Sequence, residues 1–188
     1  MNYSAARQQG FTLPELLIVL TITSLLLTAG VPSMIRLTEE HRVRSDLRLL
    51  HRTFSLAHAN AVVTGQHVTL CPLGSGNQCR NDWSGALVMF IDVNDNRVLD
   101  AGEVRLAELA ALSDERISRS YGSRSAVTFS PLGSAFGHNA VLKYCFNGNS
   151  TLGGTLIVSG PGRIRLGQDE DNNGLPEDSS GNDIDCSS

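Results

Sequence analysis

An apolar run headed by a single carboxylate constrains this chain more than any other feature. From Leu16 to Leu27 there is no charge, and only Thr21, Thr23 and Ser24 are polar. As a helix at about 1.5 Å per residue, Phe11 to Leu27 reaches roughly 25 Å, and continuation to Val31 covers the hydrocarbon of a bilayer. The run reads as the transmembrane half of an N-terminal helix, residues 11–32. Glu15 is the anomaly, because a carboxylate inside a hydrophobic segment is costly and marks a function with a partner. The plainer alternative is an acidic side chain snorkelling to the membrane surface. Residues 1–10 ahead of it are short and polar with one basic residue, Arg7, and no small-x-small cleavage site follows the apolar run. An ordinary secretory signal has the opposite order, so the helix is expected to be retained.

Gly10-Phe11-Thr12-Leu13-Pro14-Glu15 followed by this helix resembles the class III signal of type IV pilins and type II secretion pseudopilins. The resemblance implies that residues 1–10 are a leader, cut by a prepilin peptidase between Gly10 and Phe11, with methylation of the new Phe11 amine. It also implies that Glu15 is the assembly residue. In a filament, Glu15 of one subunit would pair with the Phe11 ammonium of a neighbour, so a charge uncompensated in the monomer gains its partner on assembly. Pro14 is tolerated because it falls in the first helical turn, where a missing N–H loses no bond.

Of 188 residues, the part beyond leader and membrane helix is about 150, enough for one globular domain with its own core. A net charge of −4 by itself predicts neither a nucleic-acid binder nor an acidic specialist. The distribution is uneven: Lys143 is the one lysine, Arg36, Arg42, Arg44, Arg48 and Arg52 crowd the segment after the apolar run, and residues 166–188 hold seven acidic residues and no basic one. Four cysteines in a domain facing the bacterial periplasm suggest two disulfides. Four cysteines allow three connectivities; Cys71 with Cys79 and Cys145 with Cys186 is the favoured pairing, the first closing a small Gly/Ser/Asn loop and the second tying down the C-terminal stretch. A zinc site is the rival, and no Cys-x-x-Cys pair or histidine cluster supports it.

Beyond Pro32, expected to kink or locally melt the helix, Ile35, Val43, Leu47, Leu50, Phe54, Ala57 and Ala61 continue an apolar stripe at helical spacing. Residues 33–64 therefore read as an amphipathic second half, stopped by Gly65, with the arginines, Glu39, Glu40 and Asp46 on a solvated face. Residues 65–188 read as a β-rich periplasmic part with a polar C-terminal extension. Strands are expected over 67–71, 86–92, 104–109, 126–130, 141–146 and 155–159, separated by Gly, Asn, Ser or Pro. The fold class is α+β, a long N-terminal helix packed on an antiparallel sheet.

Val68-Thr69-Leu70-Cys71-Pro72, Asp82-Trp83-Ser84-Gly85, Phe90-Ile91-Asp92, Asp100-Ala101-Gly102-Glu103 and Gly162-Arg163-Ile164-Arg165 together resemble the GspH/FimT/FimU branch. Such proteins are minor subunits, so the resemblance implies a filament initiator or tip component. It also implies a role for Gly162, Arg163 and Arg165, because a Gly-Arg-x-Arg motif in FimT-like minor pilins is associated with DNA binding in natural transformation. Alternation points both arginines to one side of an extended segment, and guanidinium groups suit phosphate contact. Arg116, Arg119 and Arg124 are candidates to widen the patch. The plainer reading is a pair of exposed edge-strand arginines, and the acidic stretch that follows would repel a polyanion if folded alongside.

From Asp92 to Glu103, oxygen-bearing side chains at Asp92, Asn94, Asn96, Asp100 and Glu103 fall at positions 1, 3, 5, 9 and 12 of an EF-hand-like calcium loop. Arg97 replaces the glycine of position 6, and the flanks read as strands, which favours a hydrogen-bonded Asx-rich hairpin without metal; no other cofactor is suggested. Asp169 to Gly174 echoes the start of such a loop without a Glu at the twelfth position, and reads as solvated or disordered. His41, His51, His58, His67 and His138 are scattered, no Gly-x-Ser-x-Gly or phosphate loop occurs, and no enzyme is expected. The expected partners are other minor and major pilins or pseudopilins, the prepilin peptidase, the inner membrane and, through the arginines, double-stranded DNA. Two cysteine bridges and a long extension favour a pilus over the alternative, a type II secretion pseudopilus.

Overall fold

The computed structural model describes residues 12–112, 115–119 and 125–186, with backbone alone at 29–33 and 115–119. Gly10 and Phe11 lie outside it. One helix, α1 (Leu13–Thr64), is followed by eight strands: β1 (Val68–Pro72), β2 (Leu87–Ile91), β3 (Arg105–Leu109), β4 (Glu115–Arg119), β5 (Val127–Phe129), β6 (Ala140–Phe146), β7 (Asn149–Val158) and β8 (Ile164–Leu166). Two compact units result, Met1–His41 and Arg42–Ser188.

In the first unit, Thr12-Leu13-Pro14-Glu15 caps α1. The Thr12 carbonyl accepts the Leu16 N–H at 3.1 Å, and the Thr12 N–H donates to Glu15 Oε2 at 3.5 Å, the reciprocal bond of a capping box. Every Leu, Ile and Val from Leu16 to Leu27 is 53–71% exposed. Three threonine hydroxyls on this helix bond back to it: those of Thr21, Thr23 and Thr28 donate to the carbonyls of Ile18, Val19 and Leu25. An apolar surrounding therefore meets these three donors already satisfied. Among the described residues no helix is long and apolar enough to cross a membrane. The span expected over 11–32 includes residue 11 and residues 29–32, whose side chains are not described. The helix neither breaks nor melts at Pro32; proline deletes one backbone donor, yet its fixed φ is compatible with a helix.

In the second unit, Val43, Leu50, Phe54, Ala57 and Ala61 are buried, a 3.6-period stripe facing the core. Ile35, expected on that stripe, is exposed and belongs to the first unit. Gly65 ends the helix at φ +64°, its N–H bonded to the Ala61 carbonyl at 3.0 Å, the left-handed stop that glycine adopts without penalty.

The single sheet expected from the sequence is two four-stranded antiparallel sheets, ordered β3-β2-β1-β5 and β4-β6-β7-β8. The helix stripe packs with Val68, Leu70, Met89, Val127 and Phe129 of the first and Leu142, Tyr144, Phe146, Leu156 and Val158 of the second. Tyr144 Oη donates to Asp46 Oδ2 at 2.8 Å, tying helix to sheet, and a Cβ on Gly154 would collide with Leu47. Both sheets are covered on their far faces as well. Cys71, Val88, Phe90 and Ala126 pack under Leu73, Cys79 and Leu99, while Cys145 packs with Leu175, Ile184 and Cys186. Disulfides join Cys71 to Cys79 and Cys145 to Cys186.

Candidate functional site

The β7–β8 connection decides where the motif arginines go. The Gly162 N–H donates to the Ser159 carbonyl at 2.9 Å, and the Ser159 N–H to the Arg163 carbonyl at 3.0 Å, closing a tight turn. Gly162 sits at φ +89°, and a Cβ there would collide with the Gly133 carbonyl oxygen. Only glycine fits such a position. The chain then enters β8, with Ile164, Arg165 and Leu166 opposite Val158, Ile157 and Leu156. Arg163 is exposed and Arg165 half-buried.

Both arginines line one groove of about 330 Å³, together with Ile157, Ser159, Pro161 and Ser179. Arg165 also lines a second groove of about 350 Å³, whose other walls are Arg48, His51 and Arg52 of α1 with Leu166 and Gln168. Sequence reasoning placed Arg48 and Arg52 on a merely solvated face. Their sequence distance from Arg165 hides the juxtaposition, which arises from packing α1 on the second sheet. Among the described residues no ion pair involves Arg48, Arg52, Arg163 or Arg165. The side chains of Arg116, Arg119 and Arg124 lie outside the described residues.

The acidic stretch after Arg165 is exposed from Asp169 to Gly174, as a solvated segment should be, and it is ordered by its own hydrogen bonds. Gly167 donates to the Thr155 carbonyl at 2.8 Å, Thr155 Oγ1 to the Glu177 carbonyl at 2.8 Å, and Glu177 is buried. Its carboxylate accepts the N–H groups of Glu170 and Asp171. Asp169 accepts those of Asn173 at 3.0 Å and Gly174 at 2.8 Å. Such side chains replace secondary structure as backbone partners, which polar composition alone conceals. Oxygens of Asp169, Asp171 and Glu177 lie within 4.8 Å of one another, the one acidic group among the described residues close enough to share a cation. Further along, burial works to raise Asp178, but N–H donors from Ser180 and Asn182, the Asn182 side chain and nearby Lys143 outweigh it and hold the carboxyl below its usual range.

The loop Asp92 to Glu103 is an Asx-rich hairpin. Asp92, fully buried, accepts the Thr69 hydroxyl at 2.8 Å and the N–H groups of Asn96 and Arg97 at 3.0 Å each. Glu103 accepts those of Val93 at 2.9 Å and Asp100 at 3.0 Å. Asn94 and Asn96 donate to Asp100 Oδ2 at 3.1 and 2.8 Å. Arg97 takes φ +62°, the left-handed conformation that a glycine would supply. Its oxygens thus hold the turn that covers the outer face of the first sheet.

Two family models match the chain: "Type II transport protein GspH" over residues 46–162 and "Prokaryotic N-terminal methylation motif" over residues 5–31. The first covers more than half the chain. The chain belongs to the GspH family. The type IV minor pilin FimU of Pseudomonas aeruginosa, in two crystal forms, is 18% identical, with TM-scores of 0.56 and 0.53. These cover 70% and 66% of this chain and 92% of the crystallised FimU chain in each case. The minor pseudopilin EpsH of the Vibrio cholerae type 2 secretion system is 12% identical, with a TM-score of 0.48 over 66% of this chain and 94% of that one. At such identities the FimU likeness concerns the fold, which is pilin-like. No curated protein matches significantly. The GspH family is one of structural pilin and pseudopilin subunits, and the separately matched N-terminal methylation motif includes Gly10, Phe11 and Glu15 of this chain.

Proposed function

We propose that this chain is a non-catalytic minor subunit of a type IV pilus that acts in initiation or at the tip and meets duplex DNA through Arg163 and Arg165. Before assembly it is a single-pass inner-membrane protein with its globular domain in the periplasm. Its leader is removed between Gly10 and Phe11. The exposed apolar surface from Leu16 to Leu27 then needs lipid or neighbouring helices to cover it. The observation that carries the DNA reading is a pair of arginines without ion-pair partners among the described residues, sharing one groove at a sheet edge. Phosphate contact by such groups is sequence-independent and releases counterions. The full chain in detergent should bind labelled duplex DNA and lose at least about tenfold in affinity between roughly 50 and 200 mM salt, the expectation for two phosphate contacts. Arg163→Ala/Arg165→Ala should lose binding.

Glu15→Ala should lower the filament fraction at least tenfold while membrane insertion continues. The readout is an immunoblot of sheared filaments against membranes. Equal incorporation would exclude Glu15 as the assembly residue. The family description supports a second reading, a minor pseudopilin of type II secretion. Absence of DNA binding by folded wild type at low salt would remove the DNA reading and leave a structural pilus subunit or this pseudopilin.

A further inference from the structure

Arg44, Arg48 and Arg52 follow one another at i,i+4 along α1. Like charges at that spacing repel, whereas Arg36 and Arg42 each pair with an acid four residues on, Glu40 at 3.3 Å and Asp46 at 4.0 Å. Arg48 and Arg52 have no acidic residue three or four positions away in either direction. Instead they line one groove with Arg165, His51, Leu166 and Gln168. Three guanidinium groups and His51 therefore meet with no ion pair among the described residues to neutralise them. The walls are fixed: buried Leu50 and Phe54 pin α1 beside these arginines, and backbone pairing to β7 holds β8. A concentration of like charge on rigid walls suits a polyanion whose phosphates are regularly spaced.

We infer that the DNA-binding surface does not end at Arg163 and Arg165 but continues onto α1, where Arg48 and Arg52, with His51 between them, take further phosphates of the same duplex. The inference rests on the DNA reading above. Arg165 lines both grooves, so it is the hinge point of the path: Arg163 and Arg165 hold the backbone at the sheet edge, and Arg165, Arg48 and Arg52 hold it along the helix. The acidic loop beyond Gln168 limits the path on one side, because Asp169 and Asp171 are exposed there.

Salt dependence counts these contacts. Each neutralised phosphate contributes about −0.9 to the slope of log K against log salt, so four arginines give about −3.6 and two about −1.8. Between roughly 50 and 200 mM salt that is a loss of about 150-fold against about 12-fold. With full chain in detergent and a labelled duplex, wild type should show the steeper slope. Arg48→Ala/Arg52→Ala should bring it near −1.8, and Arg48→Lys/Arg52→Lys, which keeps charge and helix propensity, should restore most of it. A wild-type slope in Arg48→Ala/Arg52→Ala, with binding still lost in Arg163→Ala/Arg165→Ala, overturns the extension and leaves the DNA reading standing. No wild-type binding at low salt overturns both. An unchanged slope accompanied by loss from sheared filaments assigns the helix arginines to a neighbouring subunit and also overturns the extension.

Discussion

Phe54→Ala is expected to destabilise the globular unit by about 3–5 kcal/mol, the usual cost of emptying a buried phenylalanine site. Phe54 is fully buried on α1, in one cluster with Leu50, Ala57 and Ala61 of its own helix and with strands of both sheets. A cavity there has walls on three elements, each held by its own hydrogen bonds, so collapse around it is restricted. Leu56, two positions on, is 50% exposed, and Leu56→Ala should change stability by no more than about 0.5 kcal/mol. Urea unfolding of the oxidised full chain in detergent, followed by near-ultraviolet signals of Trp83, compares the two. Equal small losses would mean that residues 42–64 are an appendage of the sheets instead of part of their core.

The helix was legible because its signals are local. The stripe from Val43 to Ala61 repeats every three or four residues, and Gly65 follows the last buried turn. Most strands were legible for the same reason: Val, Leu, Phe and Tyr gather in β1, β2 and β6, bounded by turn formers. The two that sequence reasoning missed lack that signal. β4 is Glu-Arg-Ile-Ser-Arg, an edge strand whose charges mask its pairing with β6, and β8 is three residues long. Division into two sheets depends on long-range pairing that no window of sequence contains. Val-Thr-Leu-Cys-Pro of β1 did carry a hint, since a strand buried at every position must be covered on both faces. The candidate site divides likewise. Arg163 and Arg165 are a local motif; Arg48 and Arg52 join them only through tertiary packing. The ordered C-terminal loop was hidden by its polar composition, although Leu175, Ile184 and Cys186 were the anchors to look for.

Replacing Cys145 and Cys186 by serine together is expected to cost about 4 kcal/mol, because the bridge closes a segment of sequence separation 41 and the loop-closure entropy it removes from the unfolded chain grows with loop length. The bridge between Cys71 and Cys79, of separation 8, should contribute less, about 2.5 kcal/mol by the same relation. For a domain of this size the larger loss lowers Tm by roughly 8–16 °C, measurable by circular dichroism of the variant. The consequences for binding should be smaller. β8 is held by its backbone pairing to β7, and Arg48 and Arg52 by α1, so at temperatures where the variant is folded the slope of DNA affinity against salt should stay within one contact of wild type. If stability falls as expected and the slope persists, the C-terminal segment braces the fold while the arginines do the binding. If instead stability falls by less than about 1 kcal/mol, the bonds of Glu177, Thr155 and Gly167 hold that segment by themselves, and the disulfide is secondary to them.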